Sequence, residues 1–260
     1  MEHDQLLLDA IECANLAGKI QLQHFRTDNL NATAKLNDSD IVTVADRQAE
    51  AAIINFVHNR YPGHSILSEE SGAETRNSDY EWVIDPVDGT TNYNAGLPTH
   101  CVSIGIRFRG ETIVGVVLAP YLNELFHAVR GEGAYLNGKQ IHVSQNTDIH
   151  KAVISTGFPV DKDVNPDNNL PNVARVLPLV RGLRRLGSAA MDICYVAAGF
   201  LDAYWELNLH EWDVCAARLI AEEAGAKAIN FRNDRCVSLL VGSPAIARII
   251  DPLLSREPAR

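Results

Sequence analysis

Two aspartates three positions apart, Asp85 and Asp88, stand in the run Trp82-Val-Ile-Asp-Pro-Val-Asp-Gly-Thr-Thr-Asn-Tyr93. The apolar stretch Trp82 to Ile84 predicts a short buried strand that ends in these carboxylates. Pro86 fixes φ and lacks a ladder donor, so the sheet is expected to stop there, and Gly89 permits a sharp turn. Thr90, Thr91 and Asn92 supply hydroxyl, amide and backbone N–H groups where a helix can begin. Carboxylates able to hold a cation therefore stand beside donors able to hold an anion, the combination that phosphate-ester chemistry needs. Asp-Pro-x-Asp-Gly is also ordinary turn chemistry, so a functional reading depends on what else the chain carries.

Two further runs place acids comparably. Upstream, Tyr61-Pro-Gly-His-Ser-Ile-Leu-Ser-Glu69-Glu70 reads as a turn, a short apolar strand and paired acids. Downstream, Trp205-Glu206-Leu-Asn-Leu-His-Glu-Trp212-Asp213 leads into a strongly helical segment. With these motifs the chain resembles the inositol monophosphatases of the lithium-sensitive, magnesium-dependent phosphatase superfamily. The resemblance covers nearly the whole chain. It is carried above all by Asp85-Pro-Val-Asp88-Gly-Thr-Thr-Asn92 and Trp212-Asp213-Val-Cys-Ala-Ala.

The resemblance implies that Glu69, Asp85 and the backbone carbonyl of Val87 bind a first metal, that Asp85, Asp88 and Asp213 bind a second, and that Glu69 with waters binds a weaker third. Unit charges ~4 Å apart repel by about 4 kcal/mol at an effective dielectric of 20, so four such acids need protons or cations. Oxygen-only ligation selects Mg²⁺, with Mn²⁺ or Ca²⁺ as competitors, and disfavours Zn²⁺. By resemblance Ca²⁺ and Li⁺ inhibit. Glu69 and Thr90 are then expected to orient an attacking water, and the backbone N–H groups of Gly89 and Thr90 to hold phosphate. Asp46 has two readings, a first-turn acid favoured by the helix dipole and, by resemblance, a partner of the Thr90 hydroxyl. Substrate contacts are expected from Gly187, Ser188, Ala189, Glu206 and Asp213, with Ser188 also a candidate helix cap. Lys35 and Asp40 match a loop that approaches the metals. His210, near Asp213, reads as structural, as all-oxygen sites seldom use histidine.

The elements that must position these residues follow from periodicity and turn signals. Residues 4–25 predict an amphipathic helix, and a second runs from near Thr43 to Tyr61-Pro-Gly, burying Ala49, Ala52, Ile53, Phe56 and Val57. Residues 101–143 read as a β-meander with turns at Arg109-Gly110, Gly131-Glu-Gly133 and Asn137-Gly138. Beyond it the pattern alternates: a strand at 152–155, helices at 172–180 and 188–198, a strand at 202–206, a helix at 212–224 and a strand at 226–231. Trp212, Cys215, Ala216, Leu219 and Ile220 form the expected buried stripe of the helix that carries Asp213. The reading is an N-terminal α+β half over 1–147 and a C-terminal α/β half over 148–260, in one body. The fold class implied by the resemblance is the layered αβαβα sandwich of the inositol monophosphatase and fructose-1,6-bisphosphatase type.

The formal charge of −10 argues against a nucleic-acid surface. It is compatible with a phosphate substrate only if cations neutralise the site locally. No apolar run suggests a membrane span or a signal peptide. The five scattered cysteines read as buried, reduced side chains, which with the absent leader points to the cytoplasm. A homodimer is implied by resemblance alone. The expected activity is Mg²⁺-dependent hydrolysis of inositol 1-phosphate. The alternatives are the same chemistry on fructose 1,6-bisphosphate, histidinol phosphate or a 3′-phosphoadenosine nucleotide, or a non-catalytic binding role. Arg181, Arg184 and Arg185 bear on that choice: they form either a solvated face or, if one points inward, a site for a second phosphate.

Overall fold

The computed structural model describes residues 2–27, 33–34 and 41–257. In chain order the N-terminal elements are α1 (Glu2–His24), β1 (Thr33–Ala34), β2 (Ile41–Val42), α2 (Val44–Arg60), β3 (Ser65–Ser68), β4 (Gly72–Glu74), β5 (Tyr80–Asp88) and α3 (Thr90–Asn94). Next come β6 (Cys101–Phe108), β7 (Glu111–Ala119), β8 (Glu124–Val129), β9 (Ala134–Leu136) and β10 (Lys139–Ile141). The C-terminal elements are β11 (Val153–Thr156), α4 (Leu170–Val176), β12 (Gly182–Arg184), α5 (Ala189–Ala197), β13 (Ala203–Leu209), α6 (Glu211–Glu223), β14 (Lys227–Arg232), β15 (Val237–Gly242) and α7 (Pro244–Ile250).

Five layers result. An eight-stranded sheet in the order β10-β9-β8-β7-β6-β5-β3-β4 is antiparallel except where β3 meets β5. A five-stranded sheet in the order β12-β11-β13-β15-β14 is parallel at its first two junctions and antiparallel at the others. Helices α1 and α2 bury Ala10, Cys13, Ala14, Ala17, Ile53 and Val57 against one face of the larger sheet. Helices α5 and α6 fill the space between the sheets, and α4 and α7 cover the outer face of the smaller one. Each apolar face thus finds a partner, the requirement that produces layered architectures.

Local chemistry explains most boundaries. Thr43 caps α2: its Oγ1 accepts from Ala45 N at 3.2 Å, and its own N–H donates to the Asp46 carboxylate at 2.9 Å. In the meander, Arg109-Gly110 and Asn137-Gly138 turn with both residues at positive φ, which matches the twist of two-residue hairpins.

Several expectations need correction. β5 does not stop at Pro86 but continues to Asp88 through a bulge, with Asp85 opposite Ser103 and Asp88 opposite Cys101 on β6. Pro86 is tolerated because a bulge needs no ladder donor there. β13 likewise runs past Glu206 to Leu209 through an irregular register. α4 begins earlier than predicted, since Pro171 suits a first helical turn. β15 and α7 lie beyond the elements that the pattern predicts. Trp212 is only half-buried and stacks on His210, with ring centroids 4.6 Å apart, so it stands outside the buried stripe. Four cysteines are buried, but Cys236 is exposed. No helix among the described residues is long and apolar enough to cross a membrane. Lys35 and Asp40 lie outside the described residues.

Candidate active site

The bulge in β5 is what makes two of the acids useful together. Along a regular strand, residues three apart face opposite sides of the sheet. The extra residue re-aims them, so carboxylate oxygens of Asp85, Asp88 and Asp213 lie within 4.8 Å of one another. Asp213 arrives from the first turn of α6, where its Oδ2 accepts the His210 N–H at 2.6 Å. Helix α6 reaches this position by lying on bare backbone. A Cβ at Gly105 would sit 2.4 Å from Cys215 Sγ, and one at Gly115 would sit 2.6 Å from the Ala216 carbonyl oxygen.

Asp88 has a second set of partners. Its carboxylate accepts the Ser188 hydroxyl at 2.6 Å and the backbone N–H groups of Ala190 and Ala189 at 2.7 and 3.3 Å. Ser188 Oγ also accepts Met191 N at 3.3 Å, so it caps α5 while binding Asp88. The strand bearing the acids is thereby tied to the helix that supplies residues 187–189.

Burial lifts the Asp85 carboxyl well above the usual aspartate range, and the charges of Glu69, Asp88 and Asp213 lift it further. Asp213 is raised by burial and then by Asp88. Asp88 is raised by burial too, but the hydrogen bonds from Ser188 and Ala190 oppose the shift. Among the described residues no lysine or arginine forms an ion pair with these three acids. Three carboxylates, two of them buried and none paired with a described lysine or arginine, offer the oxygen ligands that suit a hard divalent cation such as Mg²⁺. Glu69 forms a side-chain hydrogen bond with Asp85, and its backbone N–H donates to Ile84 O at 3.2 Å.

Thr90 opens α3, preceded by Gly89 in the left-handed region at φ 88°. The Thr90 hydroxyl lies 3.1 Å from Asp46 Oδ1 and 3.0 Å from the Val87 carbonyl oxygen. Both readings of Asp46 therefore coexist, since one oxygen caps α2 and the other meets Thr90.

Glu69, Asp88, Asp213, Glu206 and residues 187–189 share the wall of one cavity of about 490 Å³. Asp46, Asp85, Val87, Gly89 and Thr90 are not on that wall. Glu206 accepts the Tyr204 hydroxyl at 2.5 Å, and burial pushes its carboxyl up to about 7 against the pull of that bond and of Arg185. Of the three arginines, only Arg185 lines the cavity. Asp192 and Gly157, which motif reading does not single out, line it too. Asp192 stands in the first turn of α5, where an acid reads simply as a dipole partner. Only packing aims it inward.

A model of the inositol monophosphatase family matches residues 2–254 of the chain. The protein called "Nus factor SuhB" in Pasteurella multocida (strain Pm70) is 42% identical over 258 residues, 95% of this chain and 96% of its own. The crystal structure of extragenic suppressor protein suhB from Bartonella henselae superposes with a TM-score of 0.90 at 32% identity, covering 96% of this chain and 98% of that one. Inositol monophosphatase from Anabaena (Nostoc) sp. PCC 7120 superposes with a TM-score of 0.87 at 34% identity, covering 99% and 98%.

Proposed function

The chain belongs to the inositol monophosphatase family, and from that premise we propose that it is a Mg²⁺-dependent phosphomonoesterase that converts inositol 1-phosphate to inositol and phosphate. The observation that carries this reading is the convergence of Asp85, Asp88 and Asp213, of which Asp88 and Asp213 line a cavity that Glu206 lines as well. Asp85, Asp88 and Asp213, with Glu69 and the Val87 carbonyl, hold the cations. Bound Mg²⁺ supplies an activated water and neutralises charge on the phosphoryl group. Glu69 and Thr90 orient the water for in-line attack, and Asp46 fixes the direction of the Thr90 hydroxyl through its 3.1 Å contact. The N–H groups of Gly89 and Thr90 open a helix, where amides lack intrahelical partners, and hold the phosphate.

Glu206, residues 187–189 and Asp213 receive the alcohol. Among the described residues Arg185 is the one lysine or arginine on the cavity wall, but it faces Glu206 and Asp192, whose carboxyls both feel its charge. An acid-lined alcohol end suits a neutral polyol better than a sugar bearing a second phosphate. The test is phosphate release from myo-inositol 1-phosphate and fructose 1,6-bisphosphate side by side at millimolar Mg²⁺. Preference for the first is expected. Preference for the bisphosphate would transfer Arg185 to phosphate binding. The name carried by the Pasteurella relative, Nus factor, favours a second reading, a binding role separate from turnover. Turnover of neither ester by folded, Mg²⁺-binding protein would make that reading the better one.

A further inference from the structure

We propose that Gly157 is a specificity-setting position, because the space its absent side chain leaves is occupied by the Glu206 carboxylate. This rests on the reading that Glu206 meets the alcohol. A Cβ built on Gly157 would lie 1.8 Å from Glu206 Oε2, 2.1 Å from its Cδ and 2.3 Å from Oε1. No side chain can share that volume with the carboxylate in its present place. The backbone itself makes no such demand, since Gly157 is absent from the positive-φ residues. Glycine is required here for room alone.

The surroundings decide which group yields. Gly157 directly follows β11, whose Thr156 pairs in parallel register with Trp205 of β13. The Thr156 hydroxyl donates to the Trp205 carbonyl at 2.7 Å. Asn169, buried and at φ 73°, closes the other side. Its Nδ2 donates to the Gly157 carbonyl at 2.6 Å and reaches Thr156 Oγ1 at 2.9 Å. Its Oδ1 accepts from Trp205 Nε1 at 2.8 Å and from Asn172 Nδ2 at 3.0 Å. The backbone at 157 is thus pinned to the strand that carries Glu206 and cannot retreat from it. What can move is the carboxylate, at the end of a flexible side chain, and the open direction is the cavity. A methyl group at 157 should leave the fold standing and drive Glu206 into the volume meant for the alcohol. Gly157 and Asn169 are positioning residues in this scheme. Neither touches the reacting phosphate.

The experiment compares Gly157→Ala, Glu206→Gln and the double variant on myo-inositol 1-phosphate and on p-nitrophenyl phosphate, which has no polyol to recognise. Mg²⁺ affinity is measured on each protein by calorimetry. Gly157→Ala is expected to raise KM for the inositol ester about tenfold and that for the nitrophenyl ester less than about threefold, with Mg²⁺ affinity unchanged. Glu206→Gln should show the same sense of discrimination, and the double variant should be no worse than the worse single one, because both act through one carboxylate. A second pair, Gly157→Ala with Glu206→Asp, shortens the acid by one methylene, relieves the overlap and should restore part of the preference. It also serves if the single variant does not fold. Discrimination lost in Glu206→Gln but untouched in Gly157→Ala would overturn the assignment of Gly157 alone. No discrimination lost in either would remove Glu206 from the alcohol site, and this proposal with it.

Discussion

At the scale of single residues, the acids of the cluster are not equivalent. Asp213 uses one oxygen on the His210 N–H, an interaction that the Oδ1 of asparagine can keep. Asp213→Asn should therefore fold normally while losing more than the ~10–100-fold in activity that removal of an outer-shell partner costs. Phosphate release together with circular dichroism checks this, and near-normal turnover would remove Asp213 from the metal site. Asp88 differs because its carboxylate also receives Ser188 Oγ and the N–H groups of Ala189 and Ala190. An asparagine amide nitrogen would face some of those donors. Asp88→Asn should thus lose activity and also about 1–3 kcal/mol of stability, the cost of an unsatisfied buried donor. Thermal melting of the two variants side by side reads the difference. A substitution at Asp88 is for that reason a poorer probe of metal binding than one at Asp213.

Elements matter through how closely they approach. The N-terminus of α6 delivers Asp213 because β6 and β7 present glycines beneath it. At Gly115 the obstacle to a side chain is the Ala216 backbone carbonyl, which cannot swing aside as a side chain can. Gly115→Ala should push α6 off the sheet, cost about 1–3 kcal/mol as overpacking does, and weaken Mg²⁺ binding because Asp213 moves with its helix. Gly110→Ala is the control. Its φ of 82° strains an alanine, but nothing lies within 4 Å of the added methyl, so stability should fall with Mg²⁺ affinity intact. Chemical denaturation and titration calorimetry separate the two. Equal Mg²⁺ affinity in both variants would mean that α6 placement does not set the site. The β5 bulge teaches the same lesson: one extra residue, not a strand end, turns Asp85 and Asp88 to a common side.

For the whole molecule the decisive quantity is charge. A chain of formal charge −10 gathers carboxylates from β5 and α6, elements of different layers. Without a cation, the folded state keeps protons on Asp85, Asp213 and Glu206 at pH values where the unfolded chain has released them. The native state then binds more protons than the unfolded one. The stability these groups contribute is fully present below the ordinary carboxylate range and is lost as pH rises through the raised values. For Glu206 that loss is complete once the pH has risen through about 7. Mg²⁺ competes with the protons on the aspartates, so the gain in Tm on adding it should be larger at pH 8 than at pH 6. At a hundredfold excess over Kd the gain is about 2.7 kcal/mol, or roughly 5–10 °C for a chain of this size. Calorimetry of EDTA-treated and Mg²⁺-loaded protein tests this. A gain no larger at pH 8 would mean that the cluster does not trade protons for cations.

Much was legible in the residues themselves because its causes are local. Helix α2 follows from a Thr43 cap and its Asp46 partner three positions on, the hairpins follow from Arg109-Gly110 and Asn137-Gly138, and the acids follow from motifs a few residues long. What a side chain faces is another matter, because it depends on contacts between distant parts of the chain. Asp88 meets Ser188 across 100 positions. Arg185 lines the cavity while its neighbours Arg181 and Arg184 do not, a difference that no charge count contains. Gly157 carries no motif at all, and its meaning appears only when β11 and β13 bring it against Glu206. Sequence alone determined which chemistry the chain can assemble. The tertiary structure decided which groups share a volume, because excluded space and burial exist only after the layers have packed.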